Sequence, residues 1–460
     1  MKDLTQGSIL KNLLIFSWPI VLGDLMHSLY SAIDAFWVGR LIGPEALAAV
    51  SASMPVLFML VSLLIGLAVS TSILAGQAFG AKDTALLSKI LVNSFMAIIA
   101  LTVLFTAAGI ALSLPILRLL STPEEIIHDA QLFLNIIFGG MIFMFVQNWF
   151  SGILRGAGDS KTPLIILAFY VALNIILAPA LITGWGPFPK LGIAGSALAT
   201  VISGAVTSAA ALVYLARKNP LFNILKWEYR FDPAIVKRIL VIGIPVSLQM
   251  IIVSLSGLLI ISLVNGFGFT TVAAYGIGLR IDQFSFIPAM SLGGSAAAAF
   301  AAQALGAGRQ EKIPEIVKWV SVLTLSFALF FFVIVNIFPA QITSIFTTDA
   351  GVIEKTVPYF RYVTFTYFAF ALMFTFQGVI RGSGDTLPSM FFAFITLIIF
   401  RAGLGWALSS KTGMNETGIW LAMAVSAYVG MTLNWLYYKS GRWKRFKKPK
   451  TEPPPLPGMG

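Results

Sequence analysis

Apolar runs of roughly 20 residues recur along the whole of this 460-residue chain, each long enough to cross about 30 Å of hydrocarbon as a helix. That pattern leaves few folds open. Inside a bilayer every backbone polar group must find its partner within the protein, so a series of such runs folds as membrane-spanning helices. Twelve spans can be drawn: 14–39, 46–76, 87–116, 130–155, 162–185, 192–216, 238–265, 271–302, 314–339, 357–381, 388–410 and 417–438. The expected fold class is an all-α polytopic membrane protein, and hydrophobic residues at 58% against 11% charged exclude a soluble domain. The first run is too long, and lacks the small-residue site, for a cleavable signal peptide. No cysteine is present, which removes disulfides, thiol chemistry and cysteine-held metals.

The net charge of +12 would suggest nucleic acid in a soluble protein, but its placement gives another answer. Twenty-three of the 31 Lys and Arg residues fall on the side of the membrane that holds both termini, and six on the other. Both termini are therefore expected in the cytoplasm. The basic run at 439–450 reads as an anchor on anionic lipid, and the Pro-rich residues 451–460 as a disordered tail.

The chain repeats itself. FSWPIV around Pro19 returns as GIPVSL around Pro245, GQAFGA around Gln77 as AQALGA around Gln303, and GILRGAGD at Gly152 as GVIRGSGD at Gly378. LGIAG at Gly192 returns as TGIWL at Gly418, and every offset is 226 residues. One constant offset across an even number of spans implies two six-helix bundles related by an axis along the membrane normal. The division is residues 1–218, a linker at 219–237, residues 238–440, and a tail at 441–460. A central cleft between two such bundles is the layout of an alternating-access transporter.

The first span breaks the apolar rule. It carries Asp24, His27, Tyr30 and Asp34, and at 100° per residue His27, Tyr30, Ser31 and Asp34 share one narrow helical face. Each ionisable group in such a place costs about 2.5–3.5 kcal/mol, so the face must look into protein or a wet cavity. The repeat puts Leu259 or Ile260 opposite Asp34; the scaffold tolerates an apolar residue there, and the acid belongs to one bundle. That favours a functional acid, able to exchange a proton, over a structural one. Asp24, nearer the cytoplasmic end, divides evenly between a coupling role and a solvated charge. His27, seven residues before Asp34, is a candidate proton partner.

LYSAIDAFWVGRLIGPEALAAV (29–50), GILRGAGD, VALNIILAP (171–179) and GIAGSALAT (192–200) together resemble the multidrug and toxic compound extrusion (MATE) family. The resemblance runs from about Ser17 to Tyr438. It implies two lobes in a V shape and export of amphipathic, often cationic, compounds across a prokaryotic plasma membrane, driven by inward protons or sodium ions. No cofactor is expected, and the partners expected are small amphipathic molecules and membrane lipids, with no nucleic acid; a monomer is the expectation, with the oligomeric state left open. Asp34 falls on the family's first-helix acid and Tyr30 on the tyrosine one turn before it. Gln147 and Asn148 align with a polar pair of the fourth helix, Asn174 with the fifth-helix asparagine and Thr200 with the sixth-helix threonine. Were sodium bound, Asp34, Asn174 and Thr200 would be its ligands. Two departures stand out: Ala178 occupies the place of a second acid, and the stretches 247–259 and 368–380 lack the acids of a C-lobe sodium site.

Other polar residues have plainer expectations. Arg280, Asp282 and Arg401 lie inside spans; they are expected to pair across helices as gates, with tuning of substrate charge as the weaker reading. Phe36, Trp37, Met54, Met141 and Trp149 are guesses for the cleft wall, where Met and aromatic faces suit varied cations. The GxGD sequences at Gly156 and Gly382 match intramembrane aspartyl proteases, but they follow Arg at helix ends and read as turns. Asp24 and Asp34 lie about 15 Å apart along the helix, too far to share a proton as a hydrolase pair must. Gln77 and Gln303 are also assigned to turns. A flippase for lipid-linked oligosaccharide is the alternative transporter, and it would call for a strongly basic cleft.

Overall fold

The computed structural model describes residues 2–218 and 227–445, and among them it is helical throughout, with no strand. In the first half run α1 (Ile9–Leu41), α2 (Pro44–Gly80), α3 (Thr84–Leu119), α4 (Glu124–Gly139), α5 (Met141–Gly156), α6 (Lys161–Thr183) and α7 (Ile193–Lys218). The second half holds α8 (Pro233–Asn265), α9 (Phe269–Pro288), α10 (Ala297–Gly306), α11 (Ile313–Ile337), α12 (Pro339–Ser344), α13 (Ala350–Val363), α14 (Thr366–Gly382), α15 (Leu387–Phe394), α16 (Leu404–Lys411) and α17 (Asn415–Ser440). Two π-helical segments, Ala289–Ala296 and Ile395–Gly403, join α9 to α10 and α15 to α16 into continuous rods.

Nine of these rods are long and apolar enough to cross a membrane alone, and two bent pairs, α4 with α5 and α13 with α14, are so as units. With the 37-residue α2 they make twelve helical units, one for each expected span. The expected spans are all present. Two of them bend, by 49° at Gly140 and by 43° between Val363 and Thr366. At the first break the side-chain-free Gly140 lets Val201 of α7 approach, and a Cβ there would lie 2.2 Å from its methyl carbon. Helix α8 starts at Pro233, inside the expected linker: Asp232 caps it through Ala234 and Ile235, and Pro233 takes the first position, where its missing N–H costs nothing. The linker segment 219–226 and the tail segment 446–460 lie outside the described residues.

Corresponding helices pack alike in the two halves. Helix α1 lies on α6 and α6 on α7; in the second half α8 lies on α15, and α16 on α17. Each half has its own core, the first around Phe138, Trp149 and Phe150, the second around Tyr359, Phe360 and Trp420. Between them, α2 runs along α8 and α10, and α1 along the first π segment. A third cluster closes the end of the molecule where the chain begins: Leu4, Ile9 and Phe16 pack with Phe300, Val379 and Trp443. Trp443 is only 1% exposed and donates its Nε1–H to Tyr438 O, so the expected tail begins as packed structure.

Candidate functional site

Three helices of the first half each offer two polar residues one turn apart: Tyr30 and Asp34 from α1, Tyr170 and Asn174 from α6, Ser196 and Thr200 from α7. The i, i+4 spacing puts each pair on one face, and helix packing brings the three faces together. Tyr30 Oη lies 3.1 Å from Thr200 Oγ1 and accepts a hydrogen bond from Tyr170 Oη at 3.1 Å. Asn174 Nδ2 donates to Thr200 Oγ1 at 3.3 Å, and Ser196 Oγ donates to Asp34 Oδ1 at 3.3 Å. Four members are buried; Asp34 and Thr200 keep partial exposure. Asp34 Oδ2 accepts no hydrogen bond among the described residues and is not sealed from open space. A carboxylate and four hydroxyls therefore converge beside the Asn174 amide, and such an oxygen-rich set suits a proton or a small cation.

Sequence reading named Tyr30, Asp34, Asn174 and Thr200 but missed Tyr170 and Ser196. The missed pair sits four residues before two named members, and that spacing was the available signal. Ala178, where the resemblance placed a second acid, is fully buried among Trp37, Leu181 and Ala199. His27 does not reach Asp34. It is exposed, with its ring centroid 6.1 Å from that of Tyr30. Gln147 and Asn148 lie on α5, outside the cluster, and Asn148 donates to Met144 O of its own helix. Among the guessed cleft residues, Phe36 and Met54 are exposed, but Met141 and Trp149 are core. Trp149 donates to Ser94 Oγ and packs on Phe95 and Trp227, so its face of α5 turns inward.

Gln77 and Gln303, assigned to turns on sequence, instead join the two halves. Gln77 Nε2 donates to Gly382 O at 3.0 Å, and Gln303 Nε2 donates to Gly156 O at 2.8 Å. The two bonds are images of each other under the 226-residue repeat. Gly80 and Gly306 form a second such pair: a Cβ on either would lie 2.2 or 2.0 Å from the backbone oxygen of Gln303 or Gln77. Only glycine permits this approach. The starting residues clasp the same seam. Leu4 N donates to Gln303 Oε1, Lys2 N to Ala157 O, and Arg309 Nη1 to Thr5 Oγ1 at 2.7 Å. Farther along, Asp24 accepts from Ser291 Oγ of the first π segment at 2.5 Å, a bond between the halves rather than a solvated charge.

The GxGD sequences are turns. Asp159 accepts from Thr162 N and Oγ1, Asp385 accepts from Tyr437 Oη, and Gly158 and Gly384 hold φ of +81° and +90°. The expected pairing of Asp282 with an arginine is not found. Asp282 accepts from Tyr359 Oη at 2.5 Å and Tyr367 Oη at 2.6 Å, and these phenols take the place of a cation. Arg280 is exposed, and neither it nor Arg401 has an acid within 4.0 Å among the described residues.

The MatE family profile matches residues 19–180 and 245–407, two stretches that begin 226 residues apart. The chain is 33% identical to the probable multidrug resistance protein YoeA of Bacillus subtilis, over 96% of each chain. It is 32% identical to the probable multidrug resistance protein YpnP of the same organism, over 97% of this chain and 98% of the relative. A crystal structure of MATE in the bent conformation superposes with a TM-score of 0.90 at 23% identity, covering 97% of this chain and 98% of that one.

Proposed function

The chain belongs to the MatE family of multidrug efflux transporters, and we propose that it is a secondary active exporter of amphipathic, often cationic, compounds, driven by inward movement of a proton or sodium ion through Asp34. The membrane is the prokaryotic plasma membrane, and the termini are cytoplasmic by the distribution of Lys and Arg. The polar cluster of α1, α6 and α7 carries this reading. It gathers six polar residues in one half of a duplicated scaffold, and the other half has apolar Ile260 in place of its acid.

With the glutamine seam made, the cytoplasmic side is closed and the cluster answers to the outside. A cation arriving at Asp34 neutralises the carboxylate and changes what Ser196, Thr200 and Asn174 must satisfy. Neutralisation favours the rearranged bundle in which the seam parts, the cation leaves inward and substrate enters. One charge moving across 100 mV contributes about 2.3 kcal/mol to each cycle, and the concentration gradient adds to it.

The test is dye efflux from proteoliposomes under a proton gradient and a sodium gradient imposed separately. Asp34→Asn is expected to abolish gradient-driven efflux while leaving folding intact, and wild-type efflux from that variant would refute the mechanism. Efflux driven by only one gradient identifies the coupling ion. A wild type indifferent to both would point to the lipid flippase, for which the two intramembrane arginines outside the seam are thin support.

A further inference from the structure

Arg401 sits in the second π segment, within a span, and its surroundings do not neutralise it. Its Nε donates to Ser426 Oγ of α17 at 3.2 Å, and the guanidinium lies 5.8 Å from the ring centroid of Phe370. Its two terminal nitrogens have no hydrogen-bond partner among the described residues, yet they are not sealed in the core. Asp282 is near enough to be felt electrostatically, but no ion pair forms, because Tyr359 and Tyr367 already occupy its oxygens. A partly exposed arginine inside a helical bundle, with Tyr275, Tyr359 and Asp282 near it but no acid in contact, carries a large desolvation cost unless something negative meets it.

Two further observations make this a built feature. The repeat puts Ile175 opposite Arg401, Val56 opposite Asp282 and Met141 opposite Tyr367, so these three polar residues are additions to the second half, while Ser426 has polar Thr200 opposite it. The matching stretch of α6 is regular α-helix, whereas Arg401 lies on a π segment, an insertion that re-aims side chains and is frequent at functional sites.

We infer that Arg401 anchors the anionic group of substrates that carry a carboxylate on an amphipathic body, with the guanidinium fork facing the oxyanion and Phe370 beside it. The exporter then has Asp34 in one bundle for the coupling ion and Arg401 in the other for the substrate's carboxylate. Planar two-point recognition is what a guanidinium offers and an ammonium does not. This assignment rests on the export activity proposed above.

The experiment uses the full chain in proteoliposomes and two dyes: a cationic xanthene bearing a free carboxylate, and its ethyl ester. Wild type is expected to export both. Arg401→Gln should raise KM for the carboxylate dye roughly ten-fold or more and leave the ester unchanged, and Arg401→Lys should fall between. Unchanged ester efflux shows in the same vesicles that the variant folds and that the transport cycle runs. Equal loss for both dyes would overturn the proposal, since Arg401 then supports the bundle; so would no loss for either, or a wild type that exports the ester alone. A wild type exporting neither dye would refute the exporter reading itself. Arg401-dependent movement of labelled phosphatidylglycerol between leaflets, without a carboxylate-dye effect, would replace the small-molecule occupant with a lipid headgroup.

Discussion

The seam between the bundles is the part of the transport cycle that the geometry describes most closely, and a single methyl group tests it. In Gly306→Ala the new carbon would sit 2.0 Å from Gln77 O, where ordinary contact begins at 3.4 Å. The obstacle is backbone, which cannot rotate away, and α10 and α2 must part by about 1.4 Å. With α5 carried along by α2 and α14 by α10, against which they pack, a displacement of that size takes the crosswise bonds of Gln77 to Gly382 and Gln303 to Gly156, at 3.0 and 2.8 Å, out of hydrogen-bond range. At about 1 kcal/mol each, their loss weakens closure of the seam by about 2 kcal/mol, a roughly thirty-fold shift towards the form in which it has parted. Alanine is itself a good helix former, so the variant should fold. The chain has no cysteine, and a pair introduced at the exposed, repeat-related Thr84 and Gln310 can carry spin labels without background. The expected result is a distance distribution moved to longer values in Gly306→Ala, with Gln303→Ala intermediate. An unchanged distribution together with unchanged efflux would show that this contact does not govern closure.

Thr200→Val removes the hydroxyl shared by Tyr30 and Asn174; Tyr30 keeps its bond with Tyr170, and the buried Asn174 amide loses its partner. It should cost about 1–3 kcal/mol, read as a lower Tm, and weaken ion-driven efflux more than substrate binding. Arg309→Ala releases Thr5 and Asp3 from the clasp and should accelerate hydrogen exchange at the Leu4 amide several-fold. Partial burial pushes the Asp3 carboxyl up, but the hydrogen bonds from Thr5 and the charge of Arg309 outweigh it and hold it below its ordinary value. The contribution of Asp3 is therefore present above about pH 4 and fades as the pH falls further, so amide exchange at Leu4 should be flat with pH around neutrality once corrected for intrinsic rates.

The spans were legible because a bilayer demands long apolar segments, and few other sequences satisfy that demand. The bend at Gly140 had a signal in the Gly139–Gly140 pair, whereas the one before Thr366 had none. The π segments need one extra residue per turn, which no composition announces. In the polar cluster the acid was conspicuous because it is expensive in a membrane. Tyr170 and Ser196 were not, since both residue types are ordinary in apolar helices and their partners lie on other helices. Gln77 and Gln303 were misread for a related reason: each ends a helix near glycine, as turn residues do. Their equal offset was informative nonetheless, because residues related by a two-fold axis and lying near it must meet their partners crosswise. The assignments of Met141 and Trp149 failed on the facing of α5, which sequence left undetermined between core and cleft.

Symmetry and its violations divide the work between them. The seam is built from repeat-related elements, Gln77 with Gln303 and Gly80 with Gly306, so nothing in it distinguishes one bundle from the other or prefers a driving ion. Preference must come from residues present once, and Asp34 is such a residue. It does not touch the seam. The link is α1 itself: about 15 Å down this helix from Asp34, Asp24 accepts a hydrogen bond from Ser291 in the other bundle, and beyond it Phe16 packs against Phe300 within the closed end. A change of charge at Asp34 that tilts or rotates α1 is thus delivered to the contact between the bundles by a rigid helix. The opposite bundle has Met250 where Asp24 stands and Ile260 where Asp34 stands, so the same route cannot be driven from there. On the proposed mechanism, one acid on one of two equivalent helices is what couples a symmetric pair of bundles to a single ion.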